Sequence, residues 1–310
     1  MVEAAVTLMR KEKKRGDKTV KTIDLEAEDK AMDVSIGQLG IFCRAGLGHL
    51  EWLGEIAAMQ YNVQEERKWM MQTPDNLDDQ TREIIVQLLY KFPLNHLVAK
   101  EGNYSVNVWV FSKLALERYV DDTVIDTAIA RIHRQYNLKE TVLCLPSHTI
   151  TWLDTGDGDF IRECFRDRIL QVKPELLRLV LIPINMDDAH WGLLAVDVQS
   201  KEAYFDDGLG WTFRRISYVH LIIRELHFHF PECDHFSLKD WLLVKNVERF
   251  GMPRQPTDGQ VIGGGSCGVG VILSAHDLMR SDRPRSISPS WRFEEMTVHR
   301  KEVMKLLSST

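Results

Sequence analysis

A fold that combines strands and helices is what this 310-residue chain predicts, and three observations carry the expectation. Runs of β type follow one another at Leu179–Ile184, Trp191–Val198 and Ala203–Phe205, with a polar turn, Gln199-Ser200-Lys201-Glu202, between the second and third. Stretches with apolar residues at helical spacing lie on both sides of that block. One cysteine, crowded by glycines in Gly263-Gly264-Gly265-Ser266-Cys267-Gly268-Val269-Gly270, opens a further helical run.

Composition narrows the class. Hydrophobic residues at 44% and charged residues at 27% are ordinary for a globular protein. A net charge of −6 gives no ground for a nucleic-acid partner. Five scattered cysteines, Cys43, Cys144, Cys164, Cys233 and Cys267, form no CxxC pair and fit free thiols in a reducing compartment. No stretch of about 20 uncharged apolar residues exists, so a membrane partner is not expected either. The expectation is an intracellular protein of the nucleus or cytoplasm.

Residues 1–35 are charge-rich, with Lys11-Glu12-Lys13-Lys14-Arg15, and read as a disordered tail; the same basic run also fits a nuclear-import signal. Residues 36–103 read as a helical extension. One helix spans Leu39 to Met59, and a second runs from Asp79 as N-cap through Ile84, Ile85, Leu88 and Leu89 to Phe92-Pro93. The texture changes at Gly102, so a domain boundary is placed there, with 104–310 as one domain.

Val106, Val108 and Val110 alternate with Asn107, Trp109 and Phe111, a short strand pattern. Asp122 or Thr123 caps a helix with the apolar face Val124, Ile125, Ala128, Ile129 and Ile132. Residues 141–177 read as mixed loop and helix, with Phe160, Ile161, Phe165 and Ile169 at helical spacing. Past the β block, Ile216–Phe228 reads as helix, Trp241–Val247 as a last strand and Gly251–Gly265 as loop. The Cys267 helix and a helix over Phe293–Leu307 close the chain.

The chemistry-bearing residues fall at element ends. Glycine permits close backbone approach, so Cys267 sits at a tight loop-to-helix junction. Unpaired N–H groups and positive potential there favour a thiolate. His190 opens the second β run and Asp206 closes the third, and a hairpin centred near Ser200 sets those ends side by side. Cys267, His190 and Asp206 thus supply nucleophile, base and the acceptor that orients the base. Gln260, in the approach to Cys267, and the Cys267 backbone N–H are the candidate oxyanion donors. A separate cluster, His227-Phe228-His229-Phe230-Pro231-Glu232-Cys233-Asp234-His235, holds zinc-type donors, but its spacing matches no familiar finger and no metal or other cofactor is expected.

Three ordered blocks resemble the ubiquitin-like-protein-specific cysteine proteases, which deconjugate SUMO and related modifiers. Glu117-Arg118-Tyr119-Val120-Asp121-Asp122-Thr123-Val124-Ile125-Asp126 is similar to the family's R-W-L-N-D-x-x-I segment. Ile182-Pro183-Ile184-Asn185 through His190-Trp191, then Tyr204-Phe205-Asp206-Asp207, is similar to its P-I-N…H-W…Y-x-D-S core. Ser266-Cys267-Gly268-Val269 is similar to its D-C-G-[VI] turn. The resemblance spans about Val106 to Leu307. It implies a papain-like α+β fold with a central mixed or antiparallel sheet flanked by helices. It implies a hydrolase with Cys267 as nucleophile, His190 as base and Asp206 as orienter. A ubiquitin-like modifier is the implied partner, its diglycine tail gripped by Trp191 and Tyr119, with Asp122 a further substrate-binding residue. The chain departs from the pattern at Tyr119, where the family has Trp, and at Ser266, where it has Asp. The family's oxyanion Gln position is Val261 here, with Gln260 one residue further from the cysteine, and Asp207 replaces a small polar residue. These departures mark a divergent member. A modifier-binding module without turnover and an acyltransferase on the same fold are the alternatives.

Overall fold

The computed structural model describes residues 61, 64–73, 75–186, 190–210, 213, 216–243, 247–255, 265–281 and 288–309. The chain divides into two units, Met1–Glu65 and Glu66–Thr310. The first holds the expected tail and the expected Leu39–Met59 helix, both outside the described residues. The second contains every element below.

Helix α1 (Asp79–Lys91) starts one residue before its expected boundary, because Asp78 is the cap and accepts from Thr81 N–H. It buries Ile85 and Leu89. Strands β1 (Leu97–Glu101) and β2 (Tyr104–Asn107) form an antiparallel hairpin that turns at Gly102, whose φ of 57° suits glycine. The expected strand over Val106–Phe111 ends at Asn107. There the Asn107 Oδ1 accepts from Val110 N–H and caps the short helix α2 (Val108–Ser112). Five apolar residues between Val106 and Phe111 fit either period, and the cap decides. Helix α3 (Asp122–Gln135) is capped by Asp121 rather than by Asp122 or Thr123.

The main sheet has four strands in the order β3-β4-β5-β6. These are β3 (Val142–Cys144), β4 (Leu179–Met186), β5 (His190–Asp197) and β6 (Glu202–Asp206). Strand β3, which the sequence pattern hid among mixed loop and helix, runs parallel to β4, and the other neighbours are antiparallel. Every residue of β5 is buried, the signature of a strand covered on both faces. On one face Val180, Ile182, Leu194 and Phe205 pack with residues of α5 (Gly158–Ile169) and α6 (Ile216–His229). Helix α8 (Ser266–Arg280) also packs against β5.

The last expected strand, Trp241–Val247, is not one where it is described. Trp241 ends a short helix over Leu238–Trp241, with its indole N–H donated to the His235 carbonyl at 2.8 Å. Among the described residues that follow, Glu248 joins the sheet through an isolated bridge to Tyr204. Helix α9 (Met296–Ser308) closes the unit.

Helix α9 also ties residues before the boundary expected at 104 to the rest of the second unit. The Lys301 ammonium is fully buried and donates to the carbonyls of Met70 and Thr73 and to the Asp75 carboxylate at 2.7–3.0 Å. A buried cation that loses its partners is costly, so residues from Glu66 onward belong to the folded unit. A fragment of residues 66–310 should therefore unfold in one cooperative step, followed by circular dichroism. A 104–310 fragment loses Met70, Ile85, Leu89 and the Lys301 partners, and should aggregate or melt at least about 10 °C lower. Equal melting of the two would return the boundary to Gly102.

Candidate active site

Helix α8 begins at Ser266 with Gly265 in the N-cap position, and Cys267 lies in its first turn, 1% exposed. Two glycines let this turn approach its neighbours. A Cβ on Gly265 would lie 1.7 Å from the Arg118 carbonyl oxygen, and one on Gly268 would lie 2.8 Å from the Val120 side chain. The segment Arg118–Val120 is thus pressed against the start of the cysteine helix. Trp191, 2% exposed, donates its indole N–H to the Val120 carbonyl at 3.0 Å, and its ring borders Gly268. Tyr119 is half-buried beside them.

His190 is 5% exposed and meets Asp207, not Asp206. Its Nε2 lies 2.9 Å from the Asp207 main-chain oxygen and 3.3 Å from Asp207 Oδ2. Both partners only accept, so Nε2 carries a proton. Asp207 Oδ1 accepts from the N–H groups of Leu209 and Gly210 at 3.1 and 2.7 Å, which holds the carboxylate in place. Burial pushes the His190 pKa down; its hydrogen bonds to Asp207 and to Cys267 more than offset this and raise it to about 9.

Asp206, expected in that role, does something else. Its Oδ1 accepts from Arg249 at 2.6 Å, and its Oδ2 accepts from the N–H groups of Gly251 and Met252 at 3.1 and 3.0 Å. It ties the loop after Glu248 to the end of β6. The reason is register. Asp197 pairs with Glu202, so the hairpin is centred between Gln199 and Ser200, not on Ser200. Asp197 Oδ1 fixes that turn by accepting from Gln199 and Ser200 N–H. Half a residue of shift exchanges the faces of the returning strand. Leu194 pairs with Phe205, so His190 and Gly192 share a face with Phe205 and Asp207. A Cβ on Gly192 would meet the Asp207 Cβ at 3.2 Å, as that placement requires. The signal for Asp207 was present in the turn residues.

Of the remaining expected residues, Asp122 is exposed in the first turn of α3, and Gln260 lies outside the described residues. Among the described residues no group of three or more His, Cys, Asp or Glu side chains is arranged to hold a metal. A thiol at a helix start, an imidazole and a carboxylate in series are the parts of nucleophilic acyl transfer.

Residues 176–305 match the sequence model described as Ulp1 protease family, C-terminal catalytic domain. Over that stretch the chain is similar to a Ulp1-type cysteine protease catalytic domain. Solved structures agree on the fold. The C-terminal Ulp1 protease domain in complex with Smt3, the yeast ortholog of SUMO, is 18% identical, with a TM-score of 0.55 over 76% of this chain and 97% of that one. The Chaetomium thermophilum Ulp1-like SUMO protease catalytic domain is also 18% identical, with a TM-score of 0.56 over 76% and 90%. SUMO protease Ulp1 with its catalytic cysteine oxidised to a sulfenic acid is 17% identical, with a TM-score of 0.57 over 75% and 95%. No curated protein matches the chain. No described helix of the protein is long and apolar enough to cross a membrane.

A histidine pKa raised from 6.5 to about 9 makes a pH-linked contribution to stability. It is fully present below about 6.5 and is lost as pH rises through about 9. Denaturant unfolding between pH 6 and 10 should show this slope, Asp207→Asn should remove most of it, and Asp206→Asn should lower stability at every pH. A slope that survives Asp207→Asn but vanishes in Asp206→Asn would return the pairing to Asp206.

Proposed function

We propose that this protein is a thiol peptidase that cleaves after the C-terminal diglycine of a SUMO-like modifier. Cys267 is the nucleophile, His190 the base and Asp207 the residue that orients it. The observation that carries this reading is His190 set between the Asp207 carboxylate and Cys267 at a helix start. The Cys267 thiol gives its proton to His190 and the sulfur adds to the glycine carbonyl. The imidazolium so formed gives that proton to the departing amine, and a thioester remains. Water then adds to the thioester, losing a proton to His190; the modifier leaves as a carboxylic acid, and the departing sulfur takes that proton back to restore the thiol. The Cys267 backbone N–H, joined by Gln260, would meet the charge on the attacked oxygen. The modifier class is supported by the family match and by a relative of like fold that was solved with Smt3. The same family points to the nucleus or cytoplasm.

Glycine is the tail residue that fits. Trp191 is locked by its bond to Val120, and Tyr119 is the adjacent residue of the opposing segment. Two aromatic planes over the scissile bond would leave no room for a Cβ, and Asp122, exposed in the first turn of α3, is assigned to contact with the modifier. Modifiers of the SUMO and ubiquitin types, each bearing a cysteine-reactive group in place of the last glycine carboxylate, test the reading. The SUMO-type probe should label Cys267 and lose that label in Cys267→Ala. Gly-Ala tails should turn over at least about tenfold more slowly than Gly-Gly, a gap of ~1.4 kcal/mol. Equal turnover of Gly-Gly and Ala-Ala tails would make the protein a general peptidase.

The other thiols should stay silent. Burial pushes the Cys144 thiol up to about 12, and burial also raises that of Cys164. Near neutral pH iodoacetamide should modify Cys267 first, at least about tenfold ahead of Cys144, as read by peptide mass spectrometry. Dominant modification of another cysteine would remove Cys267 as the nucleophile.

A further inference from the structure

The segment Lys113–Val120 forms a strap that reaches Trp191 and the start of the cysteine helix from one side. Its shape is not a relaxed one. Leu116 takes φ 53°, ψ 24°, a left-handed conformation that a leucine keeps only when its surroundings hold it. What holds the strap comes from outside it. The Arg300 guanidinium, fully buried on α9, donates from one nitrogen to the carbonyls of Leu114 and Lys113 at 2.9 and 3.4 Å. From the other it donates to the Arg118 carbonyl at 3.1 Å. The planar fork spans both ends of the left-handed turn, which a point charge cannot do. The Arg118 side chain in turn is ion-paired with the fully buried carboxylate of Glu66. The Arg118 carbonyl that Arg300 holds is also the atom that a Cβ on Gly265 would strike.

We propose that Arg300 and Glu66 are positioning residues that set the tail-binding wall. From the back of the strap they fix where Tyr119 and Val120 stand relative to Trp191 and Cys267. The bonds described above run to the strap, behind the face it turns to the tail. Their effect is therefore on the grip of the tail and not on the reactivity of the sulfur. The inference rests on the diglycine reading above for its substrate readout, and it has a second readout that does not.

The test uses the full chain carrying Arg300→Lys, Arg300→Gln or Glu66→Gln, with two measurements on each. Steady-state kinetics use a SUMO-type modifier with a Gly-Gly tail fused to a reporter. Hydrogen exchange is followed over residues 113–120 and 265–270. Arg300→Gln should raise KM at least fivefold with kcat changed less than twofold. Arg300→Lys should recover part of that loss, and Glu66→Gln should move KM in the same direction by less. Alkylation of Cys267 by iodoacetamide should stay within twofold of the parent in all three, and exchange should quicken over 113–120. If Arg300→Gln does not fold, Arg300→Lys and Glu66→Gln carry the same comparison. An unchanged KM with unchanged exchange overturns the proposal. So does a fall in kcat and in Cys267 alkylation together, which would mark a general structural role. If the parent itself turns over no Gly-Gly substrate, the diglycine reading fails; local quickening of exchange over 113–120 would then still support the strap, and its absence would overturn it.

Discussion

The register of the β5–β6 hairpin is the constraint on which the site depends. Asp197 opposite Glu202, with the turn held by the Asp197 carboxylate, decides which of two consecutive aspartates stands beside His190. One carboxylate enters the imidazole's hydrogen bond and the other turns to Arg249 and the loop beyond it. Neither is idle. Asp206 anchors the chain on its way toward Gln260, and Asp207 holds the imidazole proton on Nε2. A strand buried on both faces has little freedom to slip, because a slip would send Leu194 and Phe205 out of the core. The packing of the sheet thus protects the pairing of the site.

The second support is the pair of buried cations on α9. Arg300 and Lys301 are neighbours in sequence and both have zero exposure, yet they serve different parts of the chain. Lys301 gathers the backbone ends around Met70 and Thr73, and Arg300 gathers the turn before Tyr119. Their desolvation is offset by carbonyl oxygens brought in at hydrogen-bond distance. This explains why residues well before the three motif blocks are part of the same folded unit. The helix that ends the chain holds both the entry to the unit and the wall beside the cysteine.

Much of this was legible in the residues. The β block, the helix beginning at Cys267 and the covered face of α3 follow from periods of 2 and 3.6 alone. What misled were places where a single contact overrides the pattern. Asn107 caps α2 and cuts a strand short, and Trp241 prefers a bond to the His235 carbonyl to a place in the sheet. The composition break at Gly102 is a real turn, but of a hairpin inside the unit and not of a linker. Asp206 and Asp207 differ by half a residue in the centring of a turn, and only the Asp197 side chain settles it. Arg300 had no sequence signature, since a basic residue in a last helix reads as a solvated one.

The pairing of His190 with Asp207 is tested most directly by titrating the His190 ring protons by NMR in the parent, Asp207→Asn and Asp206→Asn. The account predicts a midpoint near 9 in the parent, a clear fall in Asp207→Asn, and little change in Asp206→Asn. A midpoint that falls only in Asp206→Asn would contradict it.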